Sequence, residues 1–289
     1  MIRLIFLPTK DSSDISELRK KELNISRSYA RELGKTALEA INSGIYENSS
    51  GDEVNWGEQI HQCRESKKSI SPDVKLNRKQ HSPFEKTYIQ VCNETTLQAS
   101  LRLVEKGMRP LALNFANGIK PGGGFLGGAR AQEEVLCRSS ALYETLKDDP
   151  MYDHHRKRSR PDSTNWMIYS PEVPIFRDDA GNSLDKPWLL SFLTSAAPYA
   201  LAIGQPESGD LLKSRIHRVY EIASAFDHDS LVLGAWGCGA FSNDPQRTAM
   251  DFRNILEQEF LGHFSEIIFA VTDWSEERRF LGPFRDTFC

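Results

Sequence analysis

Residues 110–134 read PLALNFANGIKPGGGFLGGARAQEE, and the fold class follows from how this stretch divides. Pro110 to Ala116 is short and almost wholly apolar, the composition of a strand buried on both faces. Five glycines then fall within seven residues: Gly122, Gly123, Gly124, Gly127 and Gly128. Glycine admits positive φ and lets a ligand approach the backbone closely. From about Ala131 to Leu146 the apolar residues Val135, Leu142 and Leu146 recur at helical spacing. Strand, glycine loop and helix together present backbone N–H groups to a phosphate or a sugar. A plain turn needs one or two glycines, so the competing reading is a mobile lid. The spacing is neither GxGxxG nor GxxxxGKS/T, which argues against a Rossmann or Walker-type nucleotide site.

Outward from this stretch the same alternation continues. Tyr88 to Cys92 predicts a strand. Thr95 or Thr96 can cap a helix over Leu97 to Lys106, which Gly107 ends. Further strands are expected near 166–169, 173–176, 189–194, 230–234 and 267–271, with helices over about 211–226 and from Pro245 to Phe260. The charged stretch 147–165 reads as a loop. Short apolar strands alternating with helices predict an α/β fold, a central sheet flanked by helices, with ligands at the carboxyl ends of the strands. Ahead of this, 24–43 is an amphipathic helix through Leu33, Ala37, Ala40 and Ile41, stopped by Gly44. Residues 46–84 are polar, with one short strand around Val54. The expected organisation is an N-terminal helical or irregular accessory region, 1–84, continuous with an α/β domain, 85–289.

The 289 residues are 39% hydrophobic and 26% charged, enough to bury a core, and no internal repeat is visible. The net charge of −4 excludes a general polyanion binder, so any anion site is local and no direct nucleic-acid binding is expected. No apolar run reaches the roughly 18 residues of a membrane span, and the start lacks a convincing signal peptide. Five scattered cysteines without CxxC pairs read as reduced thiols, so a cytoplasmic location is expected, or a nuclear one in a eukaryote, with no zinc site.

Glu133 and Glu134 fall at the first turn of the helix after the glycine loop. Neighbours on a helix point about 100° apart, so one carboxylate can bind ligand hydroxyls while the other moves protons. Acidic residues also complement a helix dipole, the plain alternative for the pair taken alone. A helix N-terminus favours the ionised form, whereas an adjacent carboxylate and desolvation oppose it. A second glycine loop, Gly234 to Pro245, follows a strand and opens a helix. Gly237, Cys238, Gly239, Ala240 and Phe241 make a nest whose N–H groups suit a diphosphate, with Phe241 available to a ribose or adenine face. A tight turn with Phe241 in the core is the alternative. Cys238 reads as a buried thiol rather than a nucleophile.

Triple glycine, seven residues, then Gln132-Glu133-Glu134 resembles the signature of poly(ADP-ribose) glycohydrolases. The embedded Asn114-Phe115-Ala116, Pro121 and the run Arg138-Ser139-Ser140-Ala141-Leu142-Tyr143 are similar to its bacterial-type branch. The likeness runs from about Ser26 to Phe288. It implies a macrodomain-like mixed sheet with an N-terminal helical extension. It implies hydrolysis of the ribose–ribose O-glycosidic bond, with ADP-ribose as product, poly(ADP-ribose) or an ADP-ribosylated protein as partner, and no cofactor. By the same resemblance Glu134 is the catalytic acid, and Glu133 binds ribose hydroxyls with help from Asn114. Gly122, Gly123 and Gly124 lie along the ribose and diphosphate, beside Gln132. Asn117 departs from the pattern, which commonly has Ser there. The alternatives are hydrolysis from another acceptor, a non-catalytic ADP-ribose reader, or a nucleotide-binding scaffold.

Two further segments stand out. Asn93 to Thr96 sits where macrodomains contact adenine, and a helix cap explains it equally well. The run His154-His155-Arg156-Lys157-Arg158-Ser159-Arg160 can attract an anionic chain or form a solvated loop.

Overall fold

The computed structural model describes residues 2–77 and 82–289, so part of the polar stretch expected at 46–84 lies outside the described residues. In chain order the elements are β1 (Arg3–Phe6), α1 (Ser13–Leu23), α2 (Arg27–Ser43), β2 (Ile45–Glu47), β3 (Glu53–Asn55), α3 (Gly57–Ser66), β4 (Lys68–Ile70) and β5 (Lys86–Cys92). Then come α4 (Thr96–Glu105), β6 (Pro110–Ala116), a 3-10 turn Phe125–Gly127, α5 (Gln132–Ser139), α6 (Leu142–Leu146) and α7 (Pro150–Arg156). The chain closes with β7 (Met167–Arg177), β8 (Ser183–Ala196), α8 (Ala200–Ile203), α9 (Glu207–Ala225), β9 (Ser230–Leu233), α10 (Pro245–Glu259), β10 (Glu266–Ala270) and α11 (Leu281–Thr287).

Among the described residues, eight strands form one sheet in the order β1-β5-β10-β9-β6-β8-β7-β4. Neighbours from β1 to β8 are parallel, and β7 and β4 finish the far edge antiparallel. The central strands bury both faces, as their apolar runs require. On β9, Leu231 and Leu233 face a core built with α9, α10 and α11, through Ile216, Tyr220, Phe252 and Phe284. Val232 faces the opposite core with Ala37, Trp56, Leu97 and Leu136 from α2, the start of α3, α4 and α5. On β10, Ile267 and Phe269 likewise join the first core and Ile268 the second, the period of two that a strand imposes.

The helix expected over 131–146 breaks at Ser140. Its backbone is extended there and bridges to Ile175, and Ala141 N–H donates to Pro174 O. Pairing with the sheet overrides a pattern whose apolar spacing continues across the break. Within 147–165, Asp149 caps α7 with Pro150 at its first position, a start signal in an otherwise charged stretch. The separate strands expected at 166–176 are one strand, β7, whose bulges at Ser170/Val173 and Ile175/Arg177 interrupt the alternation. From the front third, β1 joins one edge of the sheet and β4 the other. No helix among the described residues is long and apolar enough to cross a membrane.

Candidate functional site

Asn114, at the carboxyl end of β6, is wholly buried. Its Nδ2 donates to Thr194 Oγ1 on β8 at 3.1 Å and, at 3.5 Å, to Glu133 Oε1, while its Oδ1 is buried without a partner. Gln132 opens α5 and clamps it to the sheet. Its Nε2 donates to Leu113 O at 2.7 Å and Thr96 Oγ1 at 3.1 Å, and its Oε1 accepts Phe115 N–H at 2.9 Å. Both amide hydrogens are thus committed inside the protein, and the helix N-terminus is fixed against β6 and α4.

That clamp aims the two glutamates, both buried, at the glycine loop. Glu133 Oε2 accepts Asn117 N–H at 2.7 Å, and Glu134 Oε1 accepts Gly124 N–H at 2.8 Å. Glu134 Oε2 is buried with no partner, one lone carboxylate oxygen beside the cavity. Gly123 has φ +57, and a Cβ there would run into Glu134 Oε1 and stand 2.9 Å from Glu133 Oε2. Burial pushes the Glu133 carboxyl up to about 8. The Glu134 charge adds to this, while the Asn117 N–H and the Asn114 amide oppose it. The environment therefore raises Glu133, the residue expected to bind hydroxyls.

Across the cavity the second loop follows β9. Asn243 closes it, its Nδ2 donating to Pro198 O at 2.9 Å and its N–H to Gly237 O at 3.0 Å. Asp244 caps α10 with Pro245 at its first position. The N–H groups of Gly237, Gly239, Ala240 and Phe241 make no hydrogen bond among the described residues. Open space lies where a Gly239 Cβ would project. Burial pushes the Cys238 thiol up to about 12, so it is a packed thiol and no nucleophile at neutral pH. Phe241 is half-buried and meets Tyr199 edge-on.

Between the loops lies a cavity of about 470 Å³, lined by Asn117, Glu133, Glu134, Gly237, Gly239 and Phe241 among others. Gln132 and Ala240 belong to this lining, whereas Asn114, Gly122, Gly123, Gly124 and Cys238 do not. At the far end, Thr95 caps α4 and donates to Asp179 Oδ2 at 2.6 Å. Asp179 Oδ1 is buried and unpartnered, and burial pushes this carboxyl up to about 6. Leu23, Trp274 and Phe280 complete that end. Sequence reasoning missed these four residues. Asp178-Asp179-Ala180-Gly181-Asn182 reads only as a turn, and the other three come from opposite ends of the chain. Among the described residues, no group of three or more His, Cys, Asp or Glu side chains is arranged to hold a metal ion.

A family model for the microbial-type PARG catalytic domain matches residues 34–178. The poly(ADP-ribose) glycohydrolase of Thermomonospora curvata is similar at 37% identity over 90% of this chain and 100% of that one, with a TM-score of 0.85. Its structure with the inhibitor ADP-HPD matches at 39% identity over the same shares, with a TM-score of 0.83. The Deinococcus radiodurans enzyme in complex with ADP-ribose matches at 38% identity over 79% of this chain and 96% of that one, with a TM-score of 0.72. No curated protein matches. A family model that matches half the chain, together with fold and identity shared along nine-tenths of it, shows that the chain belongs to the microbial-type poly(ADP-ribose) glycohydrolase family.

Proposed function

We propose that this protein hydrolyses the ribose–ribose O-glycosidic bond of poly(ADP-ribose) and releases ADP-ribose, with Glu134 as the proton donor. The observation that carries this is Glu134 itself: one oxygen is locked on Gly124 N–H and the other is buried without a partner at the cavity wall. A carboxyl held this way has one defined direction in which to deliver a proton. As the C–O bond to the leaving ribose breaks, Oε2 protonates the departing oxygen and an oxocarbenium-like centre forms. The carboxylate then takes a proton from water, which adds to that centre. Glu133 and Asn114 orient the ribose hydroxyls. Glu133, held up at about 8, keeps its proton at neutral pH in the empty site and can donate it to a ribose oxygen. The free N–H groups of Gly237, Gly239, Ala240 and Phe241 hold the diphosphate, and the Asp179 end takes the adenosine. Gln132 positions α5.

Release of ADP-ribose from poly(ADP-ribose) by wild type and by Glu134→Gln tests this reading. Wild type is expected to release it, and the variant to bind ADP-ribose at least as tightly while turnover drops about 10²-fold or more, the scale of losing the general acid. Wild type that binds ADP-ribose and cuts no polymer overturns the reading in favour of another acceptor or a reader.

A further inference from the structure

The loop that carries Asn117 is held from outside the site by α7. Asn117 Oδ1 accepts the N–H groups of Ile119 and Lys120, both at 3.0 Å, so the loop folds as a tight turn around its own side chain. Asn117 N–H ties the turn to Glu133 Oε2 at 2.7 Å, and a second anchor comes from outside the turn. The buried ring of His155 on α7 supplies it: Nδ1 lies 2.9 Å from Gly118 O, two peptide units along from the Asn117 N–H. The other ring nitrogen settles the tautomer. Thr164 N–H donates to Nε2 at 3.1 Å, so Nε2 is an acceptor and Nδ1 carries the hydrogen. Burial pulls this imidazole down to about 4, and Arg215, His154 and Arg158 add to the effect, so the neutral form persists across the working range. Gly118 fits closely against the same wall, since a Cβ there would stand 2.5 Å from Ser163 Oγ, 3.2 Å from Ala196 Cβ and 3.5 Å from His155 Nδ1. Arg156 Nη1 donates to the following carbonyl, Ile119 O, at 2.7 Å. The start of the basic run thus grips two consecutive carbonyls, of Gly118 and Ile119, just beyond the residue whose N–H holds Glu133.

We propose that His155 is a positioning residue: its Nδ1–H fixes Gly118 O and thereby aims Asn117 N–H at Glu133 Oε2. The effect on turnover rests on the glycohydrolase reading; the effect on Glu133 does not. Losing a catalytic hydrogen-bond direction by a fraction of an ångström to an ångström costs one to two orders of magnitude in rate. The ring touches neither the diphosphate nest nor the Asp179 end, so its influence is confined to the ribose end of the cavity.

The test compares His155→Ala, His155→Asn and His155→Gln. An Asn amide can donate from near the Nδ1 position, whereas a Gln amide reaches toward Nε2 and Thr164. The primary reading is the titration midpoint of the Glu133 carboxyl, followed by 13C NMR with Glu133→Gln to assign the signal. Loss of the Asn117 N–H is expected to raise that midpoint in His155→Ala and His155→Gln, while His155→Asn stays near wild type. A general packing defect does not produce that order. Turnover of poly(ADP-ribose) is expected to fall about 10- to 100-fold in kcat for Ala and Gln, with ADP affinity within about twofold of wild type and partial rescue by Asn. A Glu133 midpoint that is the same in wild type and His155→Ala overturns the proposal, whatever the activities. So does a midpoint that moves equally in all three variants. Failure of wild type to cut polymer bears on the function alone, because the titration needs no substrate.

Discussion

Gly123 combines two constraints that any side chain violates together. Its φ of +57 is the left-handed region, which non-glycine residues enter at a cost of about 1–2 kcal/mol. Its missing Cβ is also the space that both glutamate carboxyls occupy. Gly123→Ala must therefore displace Glu134 from Gly124 N–H or move the loop. The expected outcome is a kcat loss of about 10²-fold or more, with a fall in Tm of a few degrees, read by steady-state kinetics and thermal melts. Gly127→Ala is the matched control. Its Cβ meets nothing within 4 Å, and φ there lies outside the left-handed region, so Tm is expected to hold. Equal catalytic loss in Gly123→Ala and in a variant with no contact to Glu134 would sink this account.

The glycine loop is supported from below by α2, and this contact is an arrangement of whole elements. Gly34, midway along α2, packs so closely on the loop that a Cβ would stand 2.5 Å from Phe125 O. Gly128, with φ +82, meets Arg27 O at the first turn of the same helix. Gly34→Ala is expected to cost about 1–3 kcal/mol, the usual range for overpacking, and to weaken ADP-ribose binding because the loop moves as a unit. Chemical denaturation and calorimetric titration check it, and an unchanged affinity beside a stability loss would show the loop to be independent of α2. This contact also marks the limit of what the sequence makes legible. The strand, loop and helix of 110–139, the caps at Thr95 and Asp244 and the second loop are local, and each is readable because glycine, proline and capping residues act within a few positions. Asp179, Leu23, Trp274, Phe280 and the His155 grip on Gly118 arise from pairings across tens to hundreds of residues, and no periodicity records them. The break at Ser140 is intermediate: its helical spacing is genuine, and the bridge to Ile175 overrides it.

For the whole molecule, four buried groups with shifted titration shape how stability varies between about pH 4 and 8. Glu133 and Asp179 are raised to about 8 and about 6, so they contribute fully below their ordinary values of 4.5 and 3.8 and lose that contribution as pH rises through the raised ones. His155 and His228 are pulled from 6.5 to about 4 by burial, so their contribution is present above 6.5 and lost as pH falls through 4. His228 is held as His155 is, its Nδ1 2.9 Å from Arg109 O and its Nε2 3.0 Å from Tyr169 OH. Between pH 4 and 6 the two pairs oppose each other. Above 6.5 the histidines are flat and Asp179 is already ionised, while Arg215 and Arg177, lowered by burial to about 9 and about 10, add slope only beyond pH 9. Glu133 is then the one of these groups still changing. The unliganded protein is expected to lose stability from pH 6.5 to about 8, by at most about 1.4 kcal/mol per pH unit. Glu133→Gln, which keeps the shape and removes the charge, is expected to flatten that limb and to raise stability at pH 8. Urea midpoints across this interval for the two proteins decide it: a decline that persists in Glu133→Gln would mean that another group carries it and that the Glu133 proton is not its source.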